Sequence, residues 1–191
     1  MARNETEQVR QLQRTLYRTA KQSKAVKFYS LYDKVWRRDV LREAWQQVKE
    51  NRGAPGVDGE TIEGIVLRGE EEGMISRLQE QLRAKTYRFQ PVRRVDIPKP
   101  KGGTRPLGIA TVEDRVVQTA MKLVLEPIFE ADFHPCSYGY RPQRDAKMAS
   151  TAIRNDLYQG AWGVVEIDFR SYLDMASYCP QIHEVLSNRF G

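Results

Sequence analysis

Lys99 and Arg105 stand on either side of Gly102-Gly103, between two short runs suited to extended backbone, Val92–Pro98 and Thr104–Ile109. A Gly-Gly pair between such runs signals a hairpin. A hairpin brings both cations to one end of a ribbon. There they can grip a polyphosphate, the lysine as a point charge and the arginine as a planar fork. Asp168 is the second candidate, because it closes the apolar run that begins at Gly163. A buried strand ending on a carboxylate presents a metal ligand from a rigid sheet. Taken alone, each feature has a plainer reading: a solvated basic hairpin, and an aspartate that caps a turn.

The elements that must hold these residues are mostly helical. Residues 5–27 read as a helix with Val9, Leu12 and Leu16 on one face and Arg10, Arg14, Arg18 and Lys21 as a basic stripe. A second helix is expected over 35–51, with Leu41, Trp45 and Val48 inward and Asp39 as a candidate N-cap. Gly53-Ala-Pro-Gly-Val-Asp-Gly59 excludes helix and strand interior and reads as a tight loop. Residues 60–73 read as acidic and irregular, followed by a third helix over 74–84. After the hairpin, Thr111 is a candidate N-cap with Asp114 three residues on, close to a capping box. The apolar helix that follows ends between Glu126 and Phe133, disturbed by Pro127. His134–Pro142 is a loop by composition. A last helix over 145–158 should turn Ala149, Ile153 and Leu157 inward.

Charge is unevenly spread along the 191 residues, whose net is +6. Residues 1–52 hold 13 Lys/Arg against 6 Asp/Glu, and residues 83–105 hold 8 against 1. Residues 53–82 reverse this, with 2 against 7, and residues 106–191 hold 8 against 11. Two basic blocks of this kind suit phosphate contacts. A salt-laced helical surface is the alternative use. Cys136 and Cys179 sit in no metal-ligand spacing, and no zinc site is expected. Free thiols, a cytoplasmic setting and no membrane span are expected from the polar start and the lack of a long apolar run.

Pro98-Lys99-x-x-Gly-x-x-Arg105-Pro-Leu-Gly-Ile109, followed by Val112-Glu-Asp-Arg-Val-Val-Gln118, resembles the fingers of group II intron reverse transcriptases. The loop Gly53–Gly59, the segment His134–Pro142 and the run ending at Asp168 follow in the family's order, and the resemblance extends from about Tyr32 to Asp174. It implies an α+β architecture: the mainly helical fingers of a right-hand polymerase with a β-hairpin and the first palm strand, the palm being incomplete. The implied divisions are a basic N-terminal extension over 1–52, fingers over 53–160, and the start of a palm over 161–191.

The resemblance also implies residue roles. Lys99 and Arg105 would contact the triphosphate of an incoming deoxynucleotide. Tyr172 would lie against its sugar and exclude a 2′-hydroxyl. Gly56 and Arg141 would meet template or primer backbone, with Tyr138 and Tyr140 nearby for stacking. Arg10, Arg14 and Arg18 would face RNA. Asp168 would be the first catalytic aspartate and a ligand to Mg²⁺, in a bacterial or organellar setting.

The departures fall late in the sequence. Leu173 stands where a phenylalanine is usual, Met175–Pro180 is unlike the family, and no Asp-Asp pair occurs for the second metal site. The expectation is therefore a truncated reverse transcriptase/maturase, inactive alone, that self-associates through an unpaired palm edge. The alternatives are a non-catalytic RNA-binding module retained from such a protein, and an unrelated basic α+β adaptor.

Overall fold

A computed structural model describes residues 2–23, 25–100 and 102–167. Its elements are α1 (Ala2–Gln22), α2 (Tyr32–Val35), α3 (Arg38–Glu50), α4 (Ile62–Leu67), α5 (Glu71–Arg83), β1 (Arg93–Pro98), β2 (Thr104–Ile109), α6 (Val112–Asp132) and α7 (Ala146–Tyr158). The described chain is α+β, mostly helical, with one two-stranded antiparallel sheet. None of its helices is long and apolar enough to cross a membrane. It forms two compact units. The first comprises Met1–Tyr17 and Ser30–Pro127; the second comprises Arg18–Tyr29 and Ile128–Gly191, described as far as residue 167.

The first unit is a helical core around the N-terminal three-quarters of α6. Val9 and Leu16 of α1, Leu41 and Trp45 of α3, and Met74, Ile75 and Leu78 of α5 are all buried. So are Val112, Val116, Val117, Ala120 and Val124 of α6. These positions recur at intervals of three and four, which is why the segments are helices with one apolar stripe each. Arg42 of α3 ties the bundle electrostatically. It pairs with Glu5 of α1 and, at 2.8 Å, with Glu72 of α5.

Four expectations are corrected. The first helix ends at Gln22, short of residue 27. Asp39 is no N-cap: Arg37 holds that position in extended conformation, and α3 begins at Arg38. The Asp39 carboxylate instead accepts from Nε and Nη2 of Arg37 at 3.0 and 2.6 Å. The stretch 60–73 is not irregular, because Thr61 caps a short helix by accepting from the Gly64 amide at 2.9 Å, and Ile62 and Ile65 are buried beneath it. The third helix starts three residues early, at Glu71, where two glutamates in the first turn suit the positive helix end.

Pro127 lies inside α6, and the helix continues to Asp132. Proline has no N–H to offer the carbonyl four residues back. That carbonyl belongs to Leu123, and Gln13 of α1 supplies the missing donor through Nε2 at 3.1 Å.

In the second unit, Ala20, Ile128 and Ala131 are buried, and Lys21 donates to the Ala131 carbonyl at 3.1 Å near the α6 C-terminus. Asp145 caps α7, accepting from the Met148 amide at 2.7 Å. The expected inward face of α7 is not buried: Ile153 is 57% and Leu157 51% exposed. Residues 163–167 likewise are not in a strand, and Val164, Val165 and Ile167 are exposed. A strand needs a hydrogen-bonding neighbour, and no described strand lies beside this run.

Candidate nucleic-acid interface

β1 and β2 pair with Val95 opposite Leu107 and Ile97 opposite Arg105. The register continues into the turn, where the Lys99 amide donates to Gly103 O at 3.0 Å and the Gly102 amide donates to Lys99 O at 3.0 Å. Gly102 and Gly103 hold φ of +90° and +80°, the left-handed region that glycine tolerates. Directly opposed residues share a face, and so do residues two apart on one strand. Lys99 and Arg105 therefore lie on the same face of the ribbon, at its turn end. Val95, Ile97 and Leu107 lie on that face too. Both cations are exposed, and so are Val95 and Leu107 in part.

The base of the ribbon is anchored by Asp114, on the first turn of α6. Its carboxylate is 1% exposed and accepts three hydrogen bonds: from Tyr87 Oη at 2.6 Å, from Thr111 Oγ1 at 2.8 Å and from the Gln90 amide at 3.1 Å. Thr111 is the N-cap expected, accepting from the Asp114 amide at 3.1 Å. The Asp114 side chain reaches to residues 87–90 as well as back to Thr111. It thereby fixes the segment that leads into β1.

Burial pushes the Tyr87 phenol well above its ordinary range, and the bond to Asp114 adds to this. The folded protein keeps this proton where the unfolded chain loses it. The stabilisation is thus complete below a pH of about 10 and is lost as pH rises above that value. Urea midpoints measured across alkaline pH should fall steeply for the parent and less steeply for Tyr87→Phe.

The Gly53–Gly59 loop packs on the same helix end. Gly56 is buried, and a Cβ there would lie 2.6 Å from Thr111 Cα and 2.7 Å from its N. Arg115 donates through Nη2 to Ala54 O at 2.9 Å. Burial lowers the affinity of Arg115 for its proton, partly offset by Asp58. Gly56, read above as a backbone contact to template, is in this structure a packing residue against α6.

Arg10 and Arg14 in the first unit and Arg18 in the second are exposed along α1. Arg14 has an exposed partner, Glu7, at 3.4 Å, a contact too solvated to hold it firmly. Arg141 is different. Its side chain is 6% exposed and bonds Glu130 through Nε at 3.0 Å and Nη2 at 2.6 Å. Nη1 donates to the carbonyls of His134 and Ser137 at 2.9 and 2.7 Å. Arg141 holds Glu130 below the usual carboxylate range. The loop thus closes around its own arginine, while Tyr140 is fully exposed.

Asp168 and Tyr172 lie outside the described residues. Among the described ones no cluster of His, Cys, Asp or Glu could hold a metal. Sequence reasoning missed the reach of Asp114 to residues 87–90. Its only signal was a buried-type aspartate with no basic neighbour to balance it except Arg115.

No protein-family profile matches the chain. Relatives do. It is 35% identical over 150 residues to the group II intron-encoded protein LtrA of Lactococcus lactis subsp. cremoris, covering 77% of this chain and 24% of LtrA. Over about three-quarters of its length the chain is a homologue of group II intron-encoded proteins. It is also 31% identical over 142 residues to the putative COX1/OXI3 intron 1 protein of Saccharomyces cerevisiae, covering 73% of the chain and 16% of that protein. Protein YkfC of Escherichia coli K12 is 35% identical over 173 residues, 87% of the chain and 45% of YkfC. The chain thus spans less than half the length of these curated relatives. The α+β character expected from the resemblance is what the structure has.

Proposed function

We propose that this chain forms the fingers of an RNA-directed DNA polymerase and contributes its grip on RNA and on the incoming deoxynucleotide. The observation that carries the reading is the placement of Lys99 and Arg105 on one exposed face at the turn end of the ribbon. A triphosphate presents several anionic oxygens a few ångströms apart. A lysine and an arginine on one face meet it from two directions, and no acidic residue shares that face of the ribbon.

Asp168 would supply one carboxylate to Mg²⁺. When bound, a pair of such ions activates the attacking hydroxyl and neutralises the departing pyrophosphate. The 191 residues contain no Asp-Asp pair to complete the metal site from the other side. On that ground the polypeptide by itself acts as an RNA-binding module rather than as an enzyme.

Binding of single-stranded RNA across a salt series tests the reading. Affinity should fall steeply as salt rises, because each phosphate contact releases counterions. A deoxynucleoside triphosphate should bind the parent at least about tenfold more tightly than it binds Lys99→Ala/Arg105→Ala, since a hydrogen bond to a charged group contributes roughly 1.5–3 kcal/mol. Primer extension on an RNA template with Mg²⁺ should give no product. Binding that ignores salt, or no binding at low salt, overturns the RNA reading. Extension that Asp168→Ala abolishes overturns the non-catalytic one.

A further inference from the structure

The first unit has a cleft of about 520 Å³ beside the segment that leads into the ribbon. Its floor is apolar: Val35 of α2, Leu82 of α5 and Val117 of α6 are buried there. Its walls are broader and wetter. Phe89 is 55% exposed, and Tyr32 and Met121 are also exposed. Two of the walls are held in place. Tyr32 Oη donates to Leu82 O at 2.6 Å, and the Tyr87 ring, fixed through Asp114, meets Phe89 edge-on at 5.4 Å. The rim carries Lys85 and Arg88. Arg88 is steadied by donating to the Tyr87 carbonyl at 3.0 Å. No acidic residue lines the cleft.

A flat apolar floor, an exposed aromatic wall held at a fixed angle and two cations without carboxylates are complementary to one kind of group. That group is a planar aromatic ring with an anion attached on either side. We infer that this cleft takes a nucleobase of single-stranded RNA, with its flanking phosphates on Lys85 and Arg88 and the base against Phe89. An apolar side chain of a protein would fill the floor but leave the two cations without partners. Duplex RNA would reach the cations but keep its bases stacked away from the walls. The cleft lies outside the Lys99–Arg105 face and gives the module a contact with the base itself, in addition to the phosphates.

The inference rests on the RNA-binding reading above, and the experiment separates the two. Binding by the 191-residue chain is compared for a single-stranded RNA and for an abasic RNA of the same length. The parent should prefer the strand with bases. Phe89→Ala should weaken that strand about tenfold, the scale of one base–aromatic stack, and leave the abasic strand unchanged. Phe89→Trp should restore the preference. Phe89→Ala removes no charge, so its salt dependence should match the parent, whereas Lys85→Gln should make the dependence shallower. Met121→Ala, on another exposed wall, provides a second test should Phe89→Ala lower the melting temperature.

RNA binding with no preference for bases, or an equal loss for both strands in Phe89→Ala and Met121→Ala, overturns the pocket and leaves the phosphate reading intact. No binding of either RNA at low salt overturns the RNA reading itself, and the pocket with it.

Discussion

Asp114→Ala should lower the stability of the first unit by about 3–4 kcal/mol, because one buried and two part-buried donors lose a charged acceptor. The donors are the Tyr87 hydroxyl, the Thr111 hydroxyl and the Gln90 amide, at 2.6 to 3.1 Å from a carboxylate that is 1% exposed. Small domains have only about 5–15 kcal/mol in total, so the variant should retain a fold with much of its margin gone. Urea denaturation followed by circular dichroism measures this directly. Thr111→Val, which removes one donor and the helix cap, should cost about 1–2 kcal/mol. If Asp114→Ala stays within about 0.5 kcal/mol of the parent, a value typical of surface changes, the anchor is not what holds residues 87–90.

Gly56→Ala should have an effect of similar size for a different reason. The added methyl would stand 2.6 Å from Thr111 Cα, 2.7 Å from Thr111 N and 3.0 Å from the Ala110 carbonyl carbon. Carbon atoms settle at about 3.5–4.0 Å, and all three neighbours are backbone, with no rotamer to move aside. The loop must then lift from the α6 N-terminus or α6 must shift, at a cost of about 3 kcal/mol. Gly59→Ala is the control. Nothing lies within 4 Å of its Cβ position, and only its φ of +71° resists the change, at about 1–2 kcal/mol. Thermal melts of the two variants should therefore separate clearly. Equal losses would show that the close approach at Gly56 is relieved cheaply.

The hairpin was legible because three local signals agreed: Gly102-Gly103 at the turn, extended-prone runs on both sides, and Thr111 just beyond. Nothing long-range was needed to place Lys99 near Arg105. α4 was missed because it is only six residues long, contains Gly64, and is embedded in the glutamate-rich stretch 60–73, which masks its apolar positions. Asp39 was misread because a short polar residue near a helix start suits both an N-cap and an ion pair, and only the position of Arg37 decides. Ile153 and Leu157 show another limit. Their spacing marks a face suited to burial, but burial needs a covering partner, and the described residues provide none. The cleft at Phe89 was not legible at all, since it gathers residues from α2, α5, the following segment and α6, elements separated by up to 89 positions between Tyr32 and Met121.

Loops that meet a flexible polymer usually become ordered only when they do so, and each residue fixed at that moment costs roughly 1–2 kcal/mol of backbone conformational entropy. The segment 134–142 differs because Arg141, held by Glu130, already binds the carbonyls of His134 and Ser137 from within. The ordering happens when the chain folds. Whatever partner reaches Tyr140 finds a preorganised surface, so nearly all the free energy of that contact appears as affinity.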